Sequence, residues 1–176
     1  MTGYLVLVAR CLLAAVLLLS TTTKVSGRAS FQAFRDWVRD LTVVPPRWVT
    51  RVAVLMTAVE AITLLMLALP ATYPAGLILA ALVMASFAGS AAVLVRRGIT
   101  VPCRCFGAAS AGRPMGATEI VRNILLTAIA TSAAAAAVLA APPIPAGAAI
   151  ILAILLGGAL GLVGTRLDDL RGQGAG

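Results

Sequence analysis

The chain has 176 residues, of which 61% are hydrophobic and 11% are charged. Soluble domains carry about 45–50% apolar and about 25% charged residues, so this composition excludes a soluble enzyme. Histidine, the commonest general base and a common zinc ligand, is absent. The formal net charge of +8 points first to the orientation of a membrane protein. We therefore predict no metal site and no nucleic-acid partner.

Five segments approach or reach the length needed to cross a bilayer core about 30 Å thick, which takes about 20 helical residues. Because backbone groups find no water inside lipid, each segment must be a helix. The sequence predicts an all-α, polytopic transmembrane bundle, with the lipid bilayer as its partner. Gly157 and Gly161 form a GxxxG pattern that allows close helix packing, within the bundle or between protomers. The predicted spans are residues 3–20, 49–69, 75–95, 120–141 and 146–163.

These spans divide the chain into a four-helix membrane domain over residues 1–141, an additional transmembrane helix within 142–165, and a short flexible tail over 166–176. The first span is expected to be retained, because no basic region precedes it as in a signal peptide.

Short uncharged turns alternate with long basic loops between the predicted spans. Residues 70–74 and 141–145 are short and contain proline, whereas 21–48 and 96–117 hold most of the lysines and arginines. Positively charged loops tend to stay in the cytoplasm. We therefore predict a multi-pass protein of a bacterial plasma membrane, with both basic loops and the C-terminus in the cytoplasm and the N-terminus outside.

Residues 28–44 of the first basic loop form an amphipathic segment. Phe31, Phe34 and Val38 recur at helical spacing, with arginines and aspartates between them. This pattern fits an interfacial anchor in the headgroup plane. It also fits a lid or a helix that docks a partner.

Cys103 and Cys105 lie in the second basic loop, and redox chemistry is expected there. Two thiols one residue apart close a disulfide only with a bent backbone, and such strain makes a disulfide easier to reduce. Arg104 between them favours the thiolate, which is the nucleophile in thiol–disulfide exchange. Two incidental loop cysteines are the alternative. Cys11, among aliphatic residues of the first span, is expected to behave as a small hydrophobic residue.

Arg10 and Glu60 are charges inside predicted spans, where a charge is costly and usually faces a partner. At a rise of about 1.5 Å per residue, Arg10 lies roughly 10 Å from the start of the first span, and Glu60 lies roughly 14 Å from the end of the second. If the first two spans are antiparallel neighbours, Arg10 and Glu60 lie at similar depths in the membrane. The sequence therefore predicts an Arg10–Glu60 pair, either a structural clasp or a polar site for a proton or a quinone.

These features together resemble the MauE branch of the MauE/DoxX-like membrane proteins, which is named for methylamine utilisation. The resemblance covers residues 5–140, most of the chain, and its sharpest piece is the motif VPCRCFG at 101–107. The other matching pieces are Arg10, residues 20–24 followed by Phe31 and Phe34, Glu60, and Arg122-Asn123 at the start of the fourth span.

The resemblance implies a role beside a thioredoxin-like partner in forming disulfides in a secreted, cysteine-rich dehydrogenase subunit. Cys103 and Cys105 would be the redox pair, while Arg10, Glu60, Arg122 and Asn123 would shape the bundle or the site. No cofactor is predicted, and the residues give no support for a bound quinone.

The alternative function is a non-catalytic membrane scaffold or assembly subunit of DoxX type, associated with a quinone. A transporter comes third, because a single buried ion pair offers a poor polar pathway across the bundle.

Overall fold

The computed structural model describes residues 2–40, 44–98 and 116–140, and the regular structure within these ranges is helical. The described helices that are long and apolar enough to cross a membrane confirm four of the predicted spans. The fifth predicted span, with Gly157 and Gly161, and the tail lie outside the described residues. The helices are α1 (Thr2–Val25), α2 (Arg28–Asp40), α3 (Val49–Ala68), α4 (Tyr73–Arg96) and α5 (Ala117–Ala140), with a 3₁₀ turn at Pro46–Trp48 before α3.

Helix α1 continues past its predicted end at Ser20 as far as Val25. The polar residues of this last part are accommodated because their hydroxyl groups bond within the helix. Thr22 Oγ1 donates to the Leu18 carbonyl at 2.7 Å, and Thr23 Oγ1 donates to the Leu19 carbonyl at 2.9 Å. A threonine whose hydroxyl bonds back to the preceding turn does not expose an unsatisfied polar group to lipid. The extension places Lys24 on a transmembrane helix rather than in a loop.

The four long helices form a closed ring in which each packs against two neighbours. Helix α1 contacts α3 and α5, and α4 also contacts α3 and α5. The contact between α4 and α5 is the most extensive. Both helices bury several alanines, whose small side chains let helix backbones approach closely in a membrane. The buried alanines of the two helices are Ala80, Ala81 and Ala91 on α4, and Ala130, Ala133, Ala134 and Ala137 on α5.

The bundle has two chemically different ends, because consecutive spans alternate in direction. Helices α1 and α4 end, and α3 and α5 begin, at what we call the basic end, which also carries α2 and the 3₁₀ turn. The opposite end, the short-turn end, contains the beginning of α1 and residues 69–72 between α3 and α4. Two contacts show the antiparallel arrangement of α1 and α3: Lys24 contacts Glu60, whereas Arg10 reaches the Ala68 carbonyl at the end of α3.

Helix α2 occupies residues 28–40 of the amphipathic segment and packs against α1 and α3 at the basic end. Phe34, Trp37 and Val38 are buried on its inner side, and the rings of Phe34 and Trp37 stack with their centres 5.8 Å apart. Arg28 and Arg39 are exposed. The apolar face of α2 therefore contacts the bundle, and this helix covers part of the bundle interior.

Candidate functional site

Three polar side chains, from the last turns of α1 and the middle of α3, meet inside the bundle. We call Ser20, Lys24 and Glu60 the polar core. The Lys24 ammonium group donates to Glu60 Oε1 and to Ser20 Oγ, the latter at 2.9 Å, while Ser20 Oγ donates to Glu60 Oε2 at 3.3 Å. Both carboxylate oxygens of Glu60 therefore accept a hydrogen bond. The side chains of Lys24 and Glu60 are only 2% and 1% exposed, so each charge is compensated from within the protein.

Two aromatic rings complete the surroundings of the Lys24 ammonium group. Its nitrogen lies 4.7 Å from the centre of the Phe34 ring on α2 and 5.5 Å from the centre of the Phe87 ring on α4. A cation over the face of an aromatic ring is attracted by the ring's quadrupole, and more strongly when it is removed from water. Lys24 thus links α1 to three other helices: α3 through Glu60, α2 through Phe34 and α4 through Phe87.

Burying an ion pair of this kind costs free energy, because both ions lose their hydration. Removing two ions from water costs several kcal/mol each, and good geometry with further hydrogen bonds is needed to recover that cost. Ionisable residues inside membrane spans therefore often mark a functional site. The polar core is our candidate site for that reason.

The structure corrects the predicted pair of Arg10 with Glu60. Glu60 is paired with Lys24, whereas the Arg10 guanidinium donates to the carbonyls of Leu67 and Ala68, with 2.7 Å between Nη2 and the Ala68 oxygen. Arg10 also lies over the Tyr73 ring, with Cζ 5.1 Å from the ring centre. The prediction was wrong because it compared depths along two helices while leaving Lys24 in a loop. An arginine near a helix C-terminus finds carbonyl groups without helical partners.

The beginning of α5 contributes further buried polar groups at the basic end. Glu119 Oε2 accepts a hydrogen bond from the Gly116 backbone N–H at 2.8 Å, which caps the helix. Asn123 is 2% exposed, and its Nδ2 donates to the Glu119 carbonyl at 2.8 Å. The predicted supporting residue Asn123 therefore faces the interior, and Arg122 beside it is half-buried.

The predicted redox residues Cys103, Arg104 and Cys105 lie outside the described residues. The segment that contains them leaves the described chain at Gly98, after α4, and rejoins it at Gly116, before α5. Both of these positions are at the basic end, whereas Glu60 and Phe87, the contacts of Lys24 on α3 and α4, lie farther inside the bundle. Cys11 is half-buried in the middle of α1.

Lys24 and Glu119 were not predicted as buried charged residues, nor were Phe34 and Phe87 predicted as ring contacts of Lys24. A signal for Lys24 was present in the chain. Leu13, Leu17, Ser20 and Lys24 follow one another at spacings of three and four residues, which is the period of one helix face.

Comparison with known families identifies a match over most of the chain. Residues 2–136 match the family model described as "Methylamine utilisation protein MauE". No curated protein and no solved structure matches the chain. The matched range runs from α1 into α5, and it contains the polar core as well as Cys103 and Cys105.

Proposed function

From the membership of this chain in the MauE family of methylamine utilisation proteins, and from its multi-pass membrane architecture, we propose that it exchanges thiols and disulfides through Cys103 and Cys105. In this role it supports the maturation of an extracytoplasmic redox enzyme that resembles methylamine dehydrogenase. Its partners are a thioredoxin-like protein and a disulfide-rich secreted client.

The observation that carries the proposal is the polar core, which joins α4, the helix that precedes the cysteine segment in the chain, to α1, α2 and α3. Helices α4 and α5, which precede and follow this segment in the chain, pack against α1 and α3. A buried hydrogen-bonded network of this kind holds its helices in one arrangement. The segment with the redox pair therefore follows, in the chain, a helix whose position this network fixes.

The exchange balances without any bound cofactor. In the oxidising direction, which requires the pair and the client on the same side of the membrane, a client thiolate attacks one sulfur of the Cys103–Cys105 disulfide, which breaks that S–S bond and forms a mixed disulfide. A second client thiolate attacks the client sulfur of the mixed disulfide, which forms the client disulfide and releases the remaining thiolate of the pair. Two electrons pass from the client to the pair, and the pair takes up two protons. The disulfide of the thioredoxin-like partner then reoxidises the pair by the same steps.

Arg104 contributes to this chemistry by its charge. A guanidinium beside a thiol lowers the free energy of the thiolate, which is both the attacking and the leaving group of exchange. Glu60, Arg10, Arg122 and Asn123 act through the bundle rather than at sulfur, as groups that position the helices.

Replacing Cys103 and Cys105 by serine tests the proposal. In cells that express a disulfide-rich secreted client, we expect the Cys103→Ser/Cys105→Ser variant to leave the client as reduced as in cells lacking the protein. Either single serine variant should accumulate a mixed disulfide with the thioredoxin-like partner, visible as a shifted band on a non-reducing gel. The Cys11→Ser variant is the matched control and should oxidise the client normally.

Client oxidation that is unaltered in the double variant, together with no mixed disulfide in either single variant, would contradict the proposal. That outcome would favour the non-catalytic scaffold, in which the polar core holds the helices together and the cysteines are incidental.

A further inference from the structure

The exposed arginines of the described ranges gather at the basic end. At the short-turn end, the one cation within the described residues is Arg10, and its guanidinium is occupied by the α3 carbonyls. Two acidic side chains, Asp36 and Asp40, lie outside the interior at the basic end in the same ranges. The exposed arginines there are Arg28, Arg39, Arg47, Arg51, Arg96 and Arg97.

The acidic side chains neutralise only part of this charge. Asp36 Oδ1 forms ion pairs with Arg35 and with Arg39, at 3.2 Å in each case, so this carboxylate is used within α2 itself. The ion pairs found within the described ranges do not involve Arg47, Arg51, Arg96 or Arg97. Within the described residues, the basic end therefore presents arginines that no carboxylate pairs with, at the beginning of α3 and the end of α4.

The beginning of α3 adds an aromatic side chain to this charge. Trp48 ends the 3₁₀ turn and is 42% exposed. The guanidinium of Arg51 lies over its ring, with Cζ 4.8 Å from the ring centre. Arg47 precedes Trp48 and is exposed. Tryptophan at the end of a span is typical of the headgroup region of a bilayer. A guanidinium held over a ring keeps its planar donors available for a phosphate.

We propose that Arg47, Trp48 and Arg51 bind the phosphodiester headgroup of an anionic phospholipid. The two guanidinium groups contact the phosphate and the indole lies among the headgroups, while the other exposed arginines of the basic end add long-range attraction. Lipid is the occupant because these residues begin a membrane span, at the depth where headgroups lie. Clusters of basic residues beside a span are known to bind anionic lipids. This inference does not depend on the redox role of the cysteines.

Trp48 itself provides the probe. The chain has two tryptophans, so the Trp37→Phe variant reports Trp48 alone, and phenylalanine retains a ring to stack on Phe34. The variant is reconstituted in phosphatidylcholine nanodiscs that contain either brominated phosphatidylglycerol or brominated phosphatidylcholine at the same mole fraction. Bromine quenches nearby tryptophan fluorescence. We expect the effective affinity of the Trp48 site for the anionic lipid to exceed that for the zwitterionic lipid by at least about fivefold, the factor that each arginine near an anionic surface contributes.

Two charge variants locate the binding. Arg47→Gln/Arg51→Gln in the Trp37→Phe background should abolish the preference for phosphatidylglycerol. The matched variant Arg96→Gln/Arg97→Gln removes the same amount of charge from the end of α4. It should keep most of the preference for phosphatidylglycerol. Equal quenching by the two brominated lipids would overturn the proposal. An undiminished preference in Arg47→Gln/Arg51→Gln, or an equal loss in both charge variants, would also overturn it.

A second measurement covers the case in which Trp37→Phe does not fold. The wild-type protein should unfold at a higher temperature in nanodiscs with phosphatidylglycerol than in pure phosphatidylcholine, because a ligand that binds the folded state stabilises it. Arg47→Gln/Arg51→Gln should lose this rise, whereas a rise that persists in that variant would overturn the proposal.

Discussion

The ammonium group of Lys24 and the carboxylate of Glu60 are both withdrawn from solvent, so each ion depends on the other. Removing one partner leaves an uncompensated charge in the bundle interior, whereas replacing both with uncharged groups of similar size removes the cost as well as the attraction. Ser20 bonds both partners, at 2.9 Å to Lys24 and 3.3 Å to Glu60. The two ions and the hydroxyl therefore form one energetic unit.

A double-mutant cycle tests this coupling. We expect Lys24→Met to lower the free energy of unfolding by about 3–5 kcal/mol, the usual cost of breaking a buried pair from one side. Lys24→Met/Glu60→Gln should recover a large part of that loss. The measurement is reversible unfolding in detergent micelles, with Arg96→Gln, an exposed change expected to stay within about 0.5 kcal/mol, as the control. A double variant that is no more stable than Lys24→Met would contradict the coupling.

The same variants distinguish a structural role of the polar core from a role of its charges in the function. If the pair is a structural clasp, a Lys24→Met/Glu60→Gln protein that folds should oxidise the client as the wild type does. If the charges take part in the function, the double variant should fold but fail to support client oxidation. Measuring unfolding and client oxidation on the same preparation separates these two roles.

At the scale of single helices, α3 shows how a membrane helix ends without leaving its carbonyls unsatisfied. The last four carbonyls of a helix have no partner within it. Here the Leu65 carbonyl accepts from the Leu69 N–H at 3.2 Å, and the Met66 carbonyl accepts from Thr72 Oγ1 at 3.1 Å. The Arg10 guanidinium donates hydrogen bonds to the remaining two carbonyls, those of Leu67 and Ala68. A long side chain from α1 thus completes the C-terminus of α3.

Gly76, in the first turns of α4, lets α3 and α4 approach closely beyond this turn. A Cβ atom at Gly76 would lie 2.9 Å from the backbone nitrogen of Leu67 and 3.0 Å from the carbonyl carbon of Met66. Because the obstacle is backbone, the helices would have to separate. We expect Gly76→Ala to lower stability by about 1–3 kcal/mol, as overpacking does.

Gly89 on the same helix provides the matched control for that substitution. A Cβ atom at Gly89 would meet nothing within 4 Å, and alanine has the higher helix propensity. Gly89→Ala should therefore be neutral or stabilising in the same unfolding measurement. Equal effects of the two substitutions would show that close packing at Gly76 does not limit stability.

The sequence predicts the membrane-spanning helices, but it does not predict which residue pairs with Glu60. The spans follow from apolar length, which is why the four described ones agree with their predicted segments. The end of α1 does not follow from it, because residues 21–24, three threonines and a lysine, read as the beginning of a basic loop. Tertiary contacts with Glu60, Phe34 and Phe87 keep this stretch inside the bundle. Glu119 was missed for a similar reason, since its burial depends on how the beginning of α5 packs.

For the whole molecule, the separation of charge between the two ends predicts its orientation. Exposed arginines of the described ranges lie at the basic end, and residues 69–72 at the opposite end carry no charge. By the tendency of basic segments to remain in the cytoplasm, the basic end is expected inside. The segment with Cys103 and Cys105 starts and ends there. If the pair faces the cytoplasm, we expect it to take electrons from cytoplasmic thiols, whereas direct oxidation of a secreted client by the proposed steps requires the opposite orientation.

Labelling with a membrane-impermeant maleimide tests the orientation, provided that the thiols are first reduced. In a Cys11→Ala background, we expect Cys103 and Cys105 to react only after the cells are permeabilised. A reporter for the other end is Ala71→Cys, at an exposed turn position, in a background where the three native cysteines are replaced. This reporter should react in intact cells. The opposite pattern would put the basic end outside, contrary to the charge distribution, and would place the redox pair on the same face as a secreted client.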